Sequence, residues 1–307
     1  MKKLTVFTPT YNRRYCLDRC YESLKRQTCS DFVWLIIDDG STDHTKELVE
    51  RWMEERKIEI RYHYQLNQGM HGAHNTAYQL IDTELNLCID SDDFMPDTAI
   101  EKILSFWEKH GNDQVSGLVG LDADADGKVI GARLPEDVTQ STLFELHSKY
   151  GVTGDKKLVY RSELTRRFPY PLFAGENYVG LAYKYYKLDL EYELLLFNDV
   201  LCTVEYMADG SSRNMLKQYR RNPQGFAFYR RELMKLPFAG ALFKFRHAVH
   251  YVSSSLIAGN VRFFRETPCK GLTLLAVLPG SLLYVYILAK TSKGPAAKGM
   301  TNDYTMG

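Results

Sequence analysis

Four short apolar runs constrain this chain most: Leu4 to Thr8, Phe32 to Ile37, Ile58 to Tyr64 and Leu85 to Ile89. Each is short enough for a strand and bounded by turn-forming residues. Each precedes a stretch of helical periodicity, near Tyr15 to Gln27, His44 to Arg56, Ala73 to Ile81 and Thr98 to Lys109. In the last stretch Ile100, Ile103, Leu104 and Trp107 share one face. Such alternation folds as a doubly wound, mostly parallel α/β sheet, because right-handed crossovers return each strand beside its predecessor. The carboxyl ends of those strands then share one edge, where ligands bind.

The segment after each strand is polar, and two of the four are rich in aspartate. Pro9 cannot donate to a ladder, so the first strand gives way to Thr10, Tyr11 and Asn12 on a loop. The second runs into Asp38-Asp39-Gly40-Ser41-Thr42-Asp43, where Gly40 permits a tight turn and Ser41, Thr42 or Asp43 can cap a helix. The third leads to Asn67-Gln68-Gly69-Met70-His71-Gly72-Ala73-His74-Asn75, whose glycines suit close backbone approach to a ligand. The fourth ends in Asp90-Ser91-Asp92-Asp93. Carboxylates this close repel one another unless a cation neutralises them, and an all-oxygen set suits Mg²⁺ or Mn²⁺ beside a diphosphate. Taken singly, each of these aspartates could equally serve as turn or cap.

The ordered series Thr8-Pro9-Thr10-Tyr11-Asn12-Arg13, Ile36-Ile37-Asp38-Asp39-Gly40-Ser41, Asn67 to Asn75 and Ile89-Asp90-Ser91-Asp92-Asp93 resembles the amino-terminal half of family 2 glycosyltransferases. The likeness is strong over residues 3–110. It continues more loosely through Gly154-Asp155-Lys156, Phe173-Ala174-Gly175-Glu176-Asn177 and Tyr206 to Ser211, in the manner of enzymes that build bacterial capsular and lipopolysaccharide sugars. The resemblance implies a GT-A fold and inverting transfer of one sugar from a nucleotide-sugar donor, usually a UDP-sugar. The acceptor would be a saccharide or a polyprenyl-linked saccharide. It implies donor binding by Thr8, Pro9, Thr10, Tyr11, Asn12, Asp38, Asp39, His71, Asn75, Asp90 and Ser91. Tyr11 would offer a stacking face, and Asp38 would support its loop. Asp90 and Asp92 match the DxD motif, with Asp92 as first choice for a Mn²⁺ or Mg²⁺ ligand and Asp93 as part of the following turn. Glu176 is the implied general base, with Asp155 and Asp209 in reserve. Two departures stand out: His74 replaces the arginine of an Ala-Arg-Asn pattern, and the Gln-x-x-Arg-Trp motif of processive synthases is missing. Rival classes are a sugar nucleotidyltransferase, whose Gly-rich first loop is missing here, and a non-catalytic nucleotide-binding scaffold.

Charge divides the chain. Residues 211–307 hold 15 Lys or Arg against 3 Asp or Glu, a net of +12, whereas the first 210 hold 24 against 35, a net of −11. The basic part is also apolar: Gly271 to Ala289 carries no charge over 19 residues, flanked by Arg262, Arg265 and Lys270 and by Lys290, Lys293 and Lys298. That approaches the length of a membrane span. Pro279-Gly280 in its middle is a turn signal and predicts a monotopic or re-entrant hairpin. Residues 243–290 are therefore expected to meet the cytoplasmic face of a membrane, and lipid suits this mixture better than nucleic acid.

The expected organisation is a catalytic domain over 1–215, with a nucleotide-binding half to about 110 and an acceptor half from 111, then a helical extension over 216–307. The amino-terminal apolar stretch is broken by Pro9, Asn12 and Arg13 and does not read as a secretory signal. Six cysteines without CxxC spacing point to neither zinc nor a secreted disulfide framework. Asp122-Ala-Asp124-Ala-Asp126-Gly127 opens like a calcium loop, but Arg133 stands where a bidentate Glu is needed, so a hairpin turn at Asp126-Gly127 is expected instead.

Overall fold

The computed structural model describes residues 2–205 and 215–292. The elements of the sheet region are β1 (Leu4–Thr10), α1 (Arg14–Lys25), β2 (Phe32–Asp38), α2 (Thr45–Glu55), β3 (Ile60–Tyr64), α3 (Gly69–Leu80), β4 (Leu85–Cys88), α4 (Ala99–His110), β5 (Val115–Ala123), β6 (Gln140–Ser141), α5 (Leu143–Ser148), β7 (Lys156–Arg161), α6 (Ser162–Thr165), α7 (Ala182–Leu188) and β8 (Glu193–Thr203). The extension adds α8 (Met215–Arg221), α9 (Pro223–Met234), α10 (Ala241–Ile257), α11 (Phe263–Glu266) and α12 (Lys270–Thr291).

The strands form one sheet of order β3-β2-β1-β4-β7-β5-β8-β6. As expected, β1 to β4 pair in parallel, and the two central strands β1 and β2 are almost wholly buried, since helices cover both faces. Beyond β4 the sheet becomes mixed: β7 runs antiparallel to both β4 and β5, while β5 and β8 are parallel. The core under α1, α2 and α4 centres on Trp34, stacked with Tyr21 and Trp52. The hairpin after β5 forms as the sequence predicts: the Gly127 N–H donates to the Asp124 carbonyl, and Val129 pairs with Ala123.

Pro9 does not end the first strand as expected: β1 runs on through Thr10, paired with Asp38, and Pro9 lies past the last β1–β4 pair, Phe7 with Cys88, where a missing N–H costs that ladder nothing. Two more expectations need correction. Helix α3 begins at Gly69, four residues before the expected start at Ala73. Gly and His are weak helix formers, so propensity hides that first turn. Packing overrides it: a Cβ on Gly69 would lie 2.0 Å from the Asn177 carbonyl oxygen, so the 173–178 loop rests directly on this backbone. The second correction concerns Pro279-Gly280, which does not turn the chain. It lies inside α12, a single helix of 22 residues. Pro279 has no N–H for the preceding turn. Gly280 meanwhile lets α12 seat on α10, where a Cβ would come within 2.7 Å of the Val252 Cβ.

Candidate active site

The strand ends converge on a cleft of about 510 Å³. Its lining joins Pro9, Thr10, Tyr11, Asp39 and Asn67 from the ends of β1 to β3, Asp90 to Asp93 from the end of β4, and Asp155, Asn177, Tyr178, Glu205 and Gln218 from later in the chain. Tyr11 is half exposed there, while Thr10 is buried and its hydroxyl lacks a partner among the described residues.

Asp38 and Asp39 are adjacent but do different work. Asp38 accepts from the Ser41 N–H (2.8 Å) and the Tyr62 hydroxyl (2.6 Å), which braces the turn away from the cleft. Asp39 reaches the cleft, and its Oδ1 accepts from the Gln65 side chain (2.7 Å) and the Gln68 N–H (2.9 Å). Burial raises its carboxyl above the ordinary range despite those bonds. Asn12 is a brace too: its Oδ1 accepts from the Thr42 N–H at 2.8 Å, and its own N–H donates to Ser41 Oγ at 2.9 Å. Thr8 is fully buried and accepts from the Trp34 indole at 2.9 Å.

The DxD segment is similarly divided. Asp90 is exposed in the cleft, and Asp92 lies 3.8 Å from the Arg13 guanidinium. Asp93 is buried, with Oδ1 accepting from the Glu205 N–H at 3.2 Å, so it joins the end of β8 to this turn. Burial pushes its carboxyl up to about 7. Behind the cluster stands Lys157 on β7, buried, donating to the Cys88 carbonyl at 3.3 Å. Burial alone would lower its ammonium, but Cys202, Asp122, Asp93 and Asp90 around it outweigh that and hold it charged. Part of the neutralisation inferred from sequence thus comes from the chain itself. The only sequence signal for Lys157 was its place after Gly154-Asp155-Lys156, and a surface lysine reads the same.

Three further residues expected at the site do not line the cleft. Asn75 exchanges hydrogen bonds with the Tyr170 backbone (2.8 and 2.9 Å) and so anchors the loop before α7. His71 is buried, neither ring nitrogen has a geometrically sound hydrogen bond among the described residues, and burial pushes it down to about 4. Glu176 is the most consequential. Its two carboxylate oxygens accept from the N–H groups of Gln224 (2.9 Å) and Gly225 (2.8 Å), the first turn of α9. A carboxylate clamped on a helix N-terminus satisfies orphan donors and the dipole, and here both oxygens are directed at that turn while the residue does not line the cleft. Asp155 does line the cleft. Asp209 and the segment from Tyr206 to Ser211 lie outside the described residues.

A parallel half, strand-end carboxylates at one sheet edge and a mixed second half make an α/β fold of GT-A type. Solved structures with this fold include Staphylococcus aureus TarS residues 1–349 in complex with UDP-GlcNAc (TM-score 0.61, 18% identity, 94% of this chain and 80% of that one). Another is the Pyrobaculum calidifontis mannosyltransferase PcManGT with GDP-Man and Mn²⁺ (TM-score 0.54, 15% identity, 92% and 87%). The family model for glycosyl transferase family 2 matches residues 5–164, more than half of the chain, and the chain belongs to that family. A Nostoc glycosyltransferase is 29% identical over 175 residues, 54% of this chain and 53% of its own length. The poly(ribitol-phosphate) β-N-acetylglucosaminyltransferase TarS of S. aureus is 26% identical over 187 residues, 58% and 31%. The chain thus spans about half the length of the first relative and under a third of the second.

Proposed function

We propose that this glycosyltransferase moves one hexosyl or N-acetylhexosaminyl group from a UDP-sugar to a saccharide or polyprenyl-linked saccharide, with inversion, in the synthesis of a cell-surface polysaccharide. The arrangement that carries this reading is the order of groups across the cleft. The strand order β2-β1-β4-β7 sets Asp39, Thr10 and Tyr11, which suit a nucleoside, at the β2–β1 side, Asp90 and Asp92 after β4, and Asp155 just before β7.

A divalent cation fits these strand-end carboxylates as a shared ligand. The available donors are carboxylate oxygens, and among the described residues no group of three or more His, Cys, Asp or Glu is set to hold an ion alone. Two carboxylates plus substrate phosphates and water are a common Mg²⁺ arrangement, and Mn²⁺ accepts the same donors. Asp92 and Asp90 would hold the ion, and when bound it would supply charge to steady the departing diphosphate. Arg13 beside Asp92 adds fixed positive charge at that end.

Asp155 is the proposed general base. It would take the acceptor hydroxyl proton as that oxygen bonds to the anomeric carbon and the sugar–phosphate bond breaks on the opposite face. Asp155→Asn should lower transfer by about 10²- to 10⁴-fold with UDP affinity retained. Transfer unchanged within about threefold in a folded, UDP-binding Asp155→Asn variant would remove Asp155 from this role.

The helical extension is proposed to hold the enzyme on a membrane. Along α12, Leu274, Leu275, Leu278, Leu282 and Val285 are 58–71% exposed, while Thr273, Ala276, Gly280 and Ile287 are buried. At 1.5 Å per residue α12 is about 33 Å long, close to a hydrocarbon core.

A further inference from the structure

Behind Asp90 the cleft opens into an inner chamber of about 310 Å³ beneath α3 and α7. The two spaces meet at Met70, Asp90, Asp93, Asp155 and Val204. One lining carboxylate helps hold Lys157 charged yet makes no hydrogen bond through one of its oxygens. Asp122, on β5, is 2% exposed, and its Oδ1 has no hydrogen-bond partner among the described residues. Its companions in the Asp-x-Asp-x-Asp-Gly run are accounted for, since Asp124 Oδ1 accepts from the N–H groups of Asp126 (3.1 Å) and Lys128 (2.9 Å) to make the hairpin turn. A buried carboxylate oxygen without a donor is costly, and a hydroxyl brought by a ligand would satisfy it. The hydroxyls of Tyr78 and Tyr185, which also line the chamber, sit 3.5 Å apart and add polar groups to which a sugar hydroxyl could bond.

We propose that this chamber takes the ring of the transferred sugar and that Asp122 is a specificity-determining residue, accepting a hydrogen bond from a hydroxyl of a neutral hexose or N-acetylhexosamine. The inference rests on the transferase reading. Half of the chamber's lining side chains are buried, and its volume suits one ring rather than a chain. Neutrality comes from the walls. Asp90, Asp93, Asp122 and Asp155 all line the chamber. Of the two lysines, Lys156 is held by the carbonyls of Ile130 (3.1 Å) and Thr153 (2.8 Å), and Lys157 is buried among carboxylates. A hexuronate would bring another negative charge into that set.

The test is hydrolysis of UDP-glucose, UDP-galactose, UDP-N-acetylglucosamine and UDP-glucuronate without acceptor, together with UDP affinity and thermal stability. Wild type should prefer a neutral donor over UDP-glucuronate by at least about tenfold. Asp122→Asn should lower kcat/KM for that donor about 10- to 100-fold with UDP affinity within about twofold. Tyr185→Phe, which keeps the ring stacked on Tyr160, should weaken the same donor less, and it decides the matter if Asp122→Asn fails to fold. Unchanged donor preference in a folded, UDP-binding variant overturns this inference and leaves the transferase reading standing. A wild type that neither binds UDP nor hydrolyses any donor defeats both.

Discussion

The sheet region and the helical extension treat charge and apolar surface in opposite ways. In the sheet, apolar side chains such as Trp34, Ile36 and Leu87 are shut away, and carboxylates crowd one edge. In the extension, a 22-residue helix turns a leucine stripe outward, in the part of the chain with net charge +12. The difference separates two jobs. Acidic strand ends suit bound cations and a phosphorylated donor; an apolar stripe with basic flanks suits anionic lipid. The two regions are still joined: Glu176, from the loop before α7, clamps the start of α9.

The largest expected effect falls at the acidic edge. Asp92→Ala should reduce nucleoside diphosphate release by about 10³-fold or more, with a melting shift of at most a few degrees, because this side chain lies at the cleft and not in the core. Full metal-dependent turnover in that variant would break the division of labour. At the other pole, Leu274→Lys with Leu278→Lys and Leu282→Lys should cut binding to phosphatidylserine-containing vesicles by more than about tenfold, and donor hydrolysis should persist. Flotation assays decide it; simultaneous loss of hydrolysis would mean that the stripe belongs to the catalytic fold.

Acid should loosen the extension more than the sheet region. His247 and His250 on α10 are pushed down to about 3 and about 4 by burial and by Arg230, and His71 and His74 on α3 to about 4 by burial. Below pH 6.5 the unfolded chain takes up protons that these folded imidazoles refuse. Stability therefore falls as pH drops toward 4, by about 1.4 kcal/mol per unit for each fully responding His. Asp93 and Asp189, both raised to about 7 by burial, run the other way and offset the loss from the two α3 imidazoles in the sheet region. His247→Gln with His250→Gln should flatten the slope of urea-unfolding free energy between pH 6.5 and 5 by up to about 2 to 3 kcal/mol per unit; an unaltered slope would locate the acid sensitivity elsewhere. The smallest effect concerns the joint itself. Glu176→Gln should cost about 1–2 kcal/mol of stability and leave kcat within about threefold, whereas near-complete loss of turnover would restore Glu176 as the base.

The parallel half was legible because strand period and turn chemistry agree there. Each of the first four strands was expected within a few residues, and Asp39, Asp90, Ser91 and Asp92 were expected at the edge they occupy. Legibility ended where a partner is far away in sequence. That Glu176 caps α9 depends on Gln224 and Gly225, 48 and 49 residues on, which no local pattern reveals. Local rules also mislead at Pro279-Gly280, a turn signal in solvent that becomes a helix-packing notch against Val252. Lys157 and Asp122 were invisible as site residues because their weight comes from burial, and only the fold supplies burial.

The most direct measurement is nucleoside diphosphate release from a panel of nucleotide sugars by the purified full chain in mild detergent with Mn²⁺. Slow release from one neutral donor, abolished by chelator and by Asp92→Ala, is the result expected of a metal-assisted family 2 glycosyltransferase. Absence of both release and binding for every donor would contradict the catalytic reading of the cleft.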